Sequence, residues 1–148
     1  MQATNRLRPI LVVEDSPEDF EVLQRAFRKA EILLPLLRCV DGDDALDFLY
    51  VRGDYTPETA PPPALVVLDL NMPGTDGFGV LERIKTDDAL MQIPTVVLST
   101  SRSEEDVRRA YKSGANSYIS KPVDMSGYVR MAELLKSYWF ECSVLATQ

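Results

Sequence analysis

Reactive side chains fall at the ends of three short apolar runs and one weaker strand-like run in this sequence. Ile10-Leu11-Val12-Val13 leads into Glu14-Asp15, and Leu65-Val66-Val67-Leu68 into Asp69. Thr95-Val96-Val97-Leu98 leads into Ser99, and Ser117-Tyr118-Ile119-Ser120 into Lys121. Carboxylates crowded at one place repel, and at least one is pushed toward protonation. A hard divalent cation relieves that conflict, since Mg²⁺ favours oxygen ligands, typically one or two carboxylates with water and phosphate. One carboxylate is then free to attack a phosphoryl group. Asp69 stands alone and is the expected nucleophile, while the adjacent Glu14 and Asp15 suit metal binding. Lys121 and Ser99 supply a cation and a hydroxyl for the equatorial oxygens that carry the charge in phosphoryl transfer. The 148 residues contain no histidine. That excludes a Ser-His-Asp triad, a two-histidine zinc site, an internal phosphohistidine and an imidazole base.

Singly, each residue has a plainer reading. An acid after a strand often only caps the next helix, and an Asp before a turn often only shapes it. A Lys before Pro is most often a solvated surface residue. The specificity lies in the combination, and so in the elements that bring it together.

Those elements alternate in type. The first run is apolar throughout, as suits a strand buried on both faces. Ser16-Pro17-Glu18-Asp19 then opens a helix with a cap, a proline at its start and acids in its first turn. Phe20, Leu23, Phe27 and Ala30 form its apolar stripe. Leu36 to Val40 predicts a second strand, and Ala45, Leu46, Phe48 and Leu49 a short helix. A connection from about Arg52 to Pro63 carries Gly53 and four prolines, which exclude regular structure there. Phe78, Leu81 and Ile84 mark a helix after the third strand. Ser103-Glu104-Glu105-Asp106 caps another after the fourth, with Gly114 at its end. From Asp124 one long helix is predicted through Leu145. Five strands alternating with helices imply an α/β fold, a parallel sheet covered on both faces by right-handed crossovers. In such sheets the site lies at the carboxyl ends of the strands, which is where the reactive residues fall.

Length predicts one domain, divided as a polar lead-in over 1–8, a core over 9–136 and an extension over 137–148. Sixteen Lys and Arg against 23 Asp and Glu leave a net charge of −7. The densest basic stretch, Arg102 to Lys112, is interrupted by Glu104, Glu105 and Asp106, so the footprint of a nucleic-acid binder is absent. Cys39 and Cys142 read as free thiols of a reducing compartment. No signal-peptide core and no run approaching a membrane span is present, so the expected location is cytoplasmic, with no membrane partner.

Together, Val13-Glu14-Asp15-Ser16, Leu68-Asp69-Leu70-Asn71-Met72-Pro73, Asp76-Gly77, Leu98-Ser99-Thr100-Ser101 and Lys121-Pro122 resemble the motifs of the response regulator receiver domain of two-component signalling. The likeness covers about Pro9 to Leu135. It implies a (βα)5, flavodoxin-like (CheY-like) fold with strand order 2-1-3-4-5. It implies that Asp69 accepts a phosphoryl group from a phosphohistidine on a sensor histidine kinase. By the same resemblance Glu14, Asp15, Asp69 and the backbone carbonyl of Asn71 hold Mg²⁺, for which Mn²⁺ or Ca²⁺ can substitute. Lys121 pairs with the phosphoryl group, Ser99 and Tyr118 form the switch pair, and Lys121–Pro122 is a cis peptide.

The sequence departs from the common pattern at Ser99, where Thr is frequent, at Gly74-Thr75, and in the length of its Pro-rich connection. By the same resemblance, residues near Asp69 and Ser99 set water access to the phosphoryl group, and Asn71 and Ser101 are the positions to examine for it. Val51-Arg52-Gly53-Asp54-Tyr55 and Tyr138-Trp139-Phe140 narrow the resemblance to the single-domain regulators of cyanobacterial, bacteriophytochrome-type kinases.

After Lys121, 27 residues remain (148 − 121), too few for a DNA-binding output domain. Output is therefore expected through contacts with a protein the sequence does not name. Leu135, Trp139, Phe140, Cys142 and Leu145 read either as a longer core helix or as a partner surface, and the second reading predicts a homodimer under phosphorylation. A phosphatase of the haloacid-dehalogenase type also uses an aspartyl nucleophile and Mg²⁺. It needs a second Asp where this chain has Asn71, and a cap domain that 148 residues scarcely hold. An inactive receiver-like scaffold is the third reading. A receiver is a phosphoacceptor, with slow self-catalysed dephosphorylation, and not a turnover enzyme.

Overall fold

The all-apolar runs form the middle of a five-stranded parallel sheet of order β2-β1-β3-β4-β5. The computed structural model describes residues 8–72 and 74–146. Most of the expected lead-in (1–7), Pro73 of the Asp69 motif and the last two residues of the extension lie outside the described residues. The strands are β1 (Ile10–Val13), β2 (Leu36–Cys39), β3 (Leu65–Leu68), β4 (Thr95–Ser99) and β5 (Ser117–Ser120). Between them run α1 (Pro17–Lys29), α2 (Gly42–Tyr50), α3 (Gly77–Thr86) and α4 (Glu104–Lys112), and α5 (Met125–Leu135) follows β5.

Strands β1, β3 and β4 are buried at every position, whereas the edge strand β5 is half-buried throughout. This is the pattern of a sheet covered on both faces. Alternate residues of one strand point to opposite faces, and two cores result. Leu11, Val13, Val66, Leu68 and Val97 pack with residues of α2 and α3, and Ala110 of α4 joins them. Ile10, Val12, Leu65, Val67, Val96 and Leu98 pack with α1 and α5.

Each helix begins close after a strand, on a side-chain cap. Ser16, Asp41, Asp76, Ser103 and Asp124 each accept a hydrogen bond from the backbone N–H three residues on. The caps turn the chain sharply, so every strand's carboxyl end opens onto a helix start. The Pro-rich connection is pinned rather than loose. Tyr55 donates to Asp44 Oδ1 at 2.6 Å and packs edge-on against Phe48, and Ala60 is buried.

The last helix differs from its expected course. The α-helix ends at Leu135, and a π-helical segment follows over Lys136–Cys142. The wider turn changes which residues face inward. Trp139 and Phe140 pack against the α1–α5 core, and Cys142 is exposed. The expected partner surface is corrected accordingly. Leu135 is a buried core residue, and Trp139, Phe140 and Leu145 are half-buried within their own chain. An α-helical stripe drawn from the sequence assumes a constant turn, and the wider turn breaks that phase. The end of the chain is tied back by Arg8, which donates to Ala146 O at 3.0 Å and Pro63 O at 2.8 Å.

Candidate functional site

Glu14 and Asp15 leave β1, Asp69 leaves β3, Ser99 ends β4 and Lys121 follows β5, so the sheet delivers all five to one edge. Glu14 and Asp69 are buried and Asp15 is exposed. One oxygen from each of these three carboxylates lies within 4.8 Å of the others. The Lys121 ammonium donates to Glu14 Oε1 at 2.8 Å and to Asp19 Oδ2 at 2.8 Å, and stands 3.5 Å from Asp69 Oδ2.

Burial pushes the Glu14 carboxyl well above the usual carboxylate range. The neighbouring Asp69 charge adds to this, and the bond from Lys121 opposes it. Burial would lower the Lys121 ammonium, but its bonds to Asp19 and Glu14 and the charge of Asp69 outweigh that and raise it. Lys121 is therefore a fixed cation among carboxylates. The donor set is all oxygen, and its three carboxylates, with Asp19 as a fourth beside them, face the single positive charge of Lys121. That fits a hard divalent cation.

The backbone beneath Asp69 is tightly packed. Gly77 N–H donates to Leu70 O at 3.0 Å. A Cβ on Gly77 would overlap the Asp69 carbonyl oxygen. The Asp76 cap and Gly77 thus let α3 start directly against the strand that carries Asp69. Asn71 N–H donates to Asp69 Oδ1 at 3.3 Å, which places its peptide beside the carboxylate. Asp43 accepts from Thr75 Oγ1 at 2.7 Å and fixes the far side of the same loop to α2.

Ser99 is fully buried, and its Oγ accepts from Ser101 N–H at 3.2 Å. Tyr118, half-buried against the α2–α4 core, donates to Ser101 O at 2.8 Å. Ser101 also donates to Asp106 Oδ2 at 2.6 Å. The structure thus joins the two expected switch residues through Ser101, which sequence reasoning singled out only for water access.

One expectation is overturned. No cis peptide bond occurs among the described residues, so Lys121–Pro122 is trans. Trans is the ordinary preference of an X–Pro bond, by about 0.5–1 kcal/mol. With it, Lys121 N–H still donates to Ser99 O at 2.8 Å and its ammonium still reaches the acids. Sequence reasoning missed Asp19, which it read only as a first-turn acid. No local spacing marks it: Asp19 meets Lys121 only because α1 docks beside α5.

The sequence profile of the response regulator receiver domain matches residues 10–133. The response regulator Rcp1 of Synechocystis sp. is 37% identical over 142 residues, covering 96% of this chain and 95% of that protein. The crystal structure of its Mn(2+)-bound form superposes with a TM-score of 0.85, covering 95% of this chain and 99% of that one. The phosphorylated cyanobacterial phytochrome response regulator RcpA gives 0.88 at 33% identity, over 96% of this chain and 100% of that one. Response regulator RPA3017, described in red light signaling of R. palustris, gives 0.90 at 35% identity, with the same coverage of 96% and 100%. No helix among the described residues is long and apolar enough to cross a membrane.

Proposed function

This chain belongs to the response regulator receiver family, and from that premise we propose that Asp69 is its phosphoacceptor, phosphorylated by a histidine kinase. As a receiver it is a phosphoacceptor signalling protein and not a turnover enzyme. The observation that carries the assignment is the position of Asp69. Its carboxylate is buried at the end of β3, 3.5 Å from the Lys121 ammonium and within 4.8 Å of two further carboxylates.

A divalent ion, Mg²⁺ in the cell, supplies charge neutralisation at the phosphoryl oxygens when bound. Glu14, Asp15, Asp69 and the Asn71 carbonyl are the residues that would hold it. Asp69 attacks phosphorus as the bond to the kinase imidazole nitrogen breaks, and that nitrogen keeps the electron pair. Lys121 takes up charge on one phosphoryl oxygen. The Ser99 hydroxyl approaches another, which draws on the Ser101–Tyr118 pair and carries the change to β5 and α5.

The likeness to phytochrome response regulators supports a phytochrome-type kinase as the donor. The zero-histidine composition agrees with a division in which the kinase brings the imidazole. The expected compartment is the cytoplasm, and the expected output is a protein contact. Leu134 and Tyr138 are more than half exposed. They line an apolar groove of about 430 Å³ with Ile119 and Met131. This groove, which Leu135 and Trp139 also line, is the proposed homodimer surface.

The test is incubation with Mg²⁺ and acetyl phosphate. The expected result is a stoichiometric, acid-stable, base-labile adduct that Asp69→Asn abolishes. Rapid multiple turnover on phosphate esters would instead favour the phosphatase, and failure to form any adduct the inactive scaffold.

A further inference from the structure

Lys121 has three ammonium hydrogens and three carboxylates around them. Glu14 and Asp19 each accept at 2.8 Å, and Asp69 lies at 3.5 Å. The two near partners are not equivalent. The Glu14 side chain is 7% exposed and also accepts from Ser16 N–H, so it is fixed by its own element. The Asp19 side chain is 42% exposed, and water can replace its bond to Lys121.

A phosphoryl group on Asp69 carries about two negative charges. It competes for the same ammonium, and one of the existing bonds has to yield. We infer that Asp19 is a positioning residue that holds Lys121 back from Asp69, so that its bond is the one exchanged when the phosphoryl group arrives. Glu14 stays with Lys121 throughout. Asp19 sits on the first turn of α1, against which α5 packs. Release of Asp19 therefore uncouples the start of α1 from the β5–α5 connection at the moment of phosphorylation.

This rests on the receiver reading of Asp69. In the reaction with acetyl phosphate an Asp69 oxygen forms the new O–P bond. The P–O bond to acetate breaks, and acetate departs with the electron pair. Asp19 takes no part in bond making. It sets the free energy of moving Lys121.

The experiment compares the full chain with Asp19→Asn, Asp19→Glu and Glu18→Gln in saturating Mg²⁺. Glu18 is the adjacent first-turn acid, and it bonds the Ser16 hydroxyl rather than Lys121. Its variant therefore reports the loss of one negative charge alone. Beryllium fluoride, a phosphoryl mimic, is titrated and followed by protein NMR. The half-saturating acetyl phosphate concentration is measured beside the maximal rate.

Asp19→Asn is expected to tighten beryllium fluoride binding and lower the half-saturating concentration by about threefold to fivefold, in line with one half-exposed ion pair. Asp19→Glu restores the original values. Glu18→Gln changes them by less than half as much, and the Lys121 ammonium resonance moves only in Asp19→Asn. If Asp19→Asn matches Glu18→Gln, or Asp19→Glu fails to restore, the inference is overturned while the receiver reading stands. If the unaltered chain responds to neither probe, the receiver reading falls first and this inference with it.

Discussion

At the residue scale the site is one ammonium shared by carboxylates of unequal burial. Asp15, exposed and outside the Lys121 ion pairs, completes the carboxylate cluster with Glu14 and Asp69, and its neutralisation should weaken divalent-ion binding without disturbing the core. Calorimetric titration of Asp15→Asn with Mn²⁺ is expected to show a clear loss of affinity, against little change in Glu18→Gln. Equal affinities in the two variants would remove Asp15 from the ligand set. The cysteines give a second residue-scale prediction. Burial, opposed only by the bond to Tyr55, pushes the Cys39 thiol up to about 12. At pH 8 its thiolate is then about one part in ten thousand, and the thiolate is the reactive species. Iodoacetamide should label the exposed Cys142 of the folded protein and reach Cys39 only on unfolding. Labelling of Cys39 under native conditions, read by peptide mass mapping, would contradict this placement.

At the element scale, two connections decide the geometry. The start of α3 lies directly under Asp69, with no room for a Cβ at Gly77. Gly77→Ala should therefore cost ~2 kcal/mol of stability and slow adduct formation, because relief of the overlap moves the Asp69 backbone. An unchanged urea midpoint with normal phosphorylation would show that this contact is tolerated. The Pro-rich connection is held at Tyr55, whose hydroxyl reaches Asp44 near the start of α2. Tyr55→Phe should lower stability by about 1 kcal/mol and leave the phosphorylation rate unchanged, since the loop stands apart from Asp69. The strands and helix starts were legible in the sequence because burial on both faces writes continuous apolar runs, and caps need Ser or Asp at one position. The end of α5 was not legible. Leu135, Trp139 and Cys142 fit an α-helical stripe, and only the π-helical turn decides that Trp139 faces in while Cys142 faces out.

At the scale of the whole molecule, the extension belongs both to the core and to the proposed output face. Trp139 and Phe140 complete the core formed by α1 and α5, and Leu134 and Tyr138 border the groove beside them. Ending the chain after Lys136 should then lower stability by about 2 kcal/mol from lost apolar burial. It should also abolish dimerisation under phosphorylating conditions. Urea denaturation followed by circular dichroism and sedimentation velocity read these separately. A shortened chain that is equally stable and still dimerises would remove both roles from the extension.

The sequence by itself determined the fold class, the alternation of elements and the edge at which the chemistry gathers. Those follow from local rules: apolar period, capping residues and the place of acids at strand ends. It also determined that any phosphohistidine must come from a partner, since the chain has none. Which of the acids share Lys121 was decided only by tertiary structure. Asp19 reaches it because α1 packs beside α5, and that packing brings together residues 102 apart in sequence. The link from Ser99 through Ser101 to Tyr118 has the same origin. Long-range pairing depends on how elements dock, and docking is set by the shapes of buried surfaces that no single stretch of sequence contains.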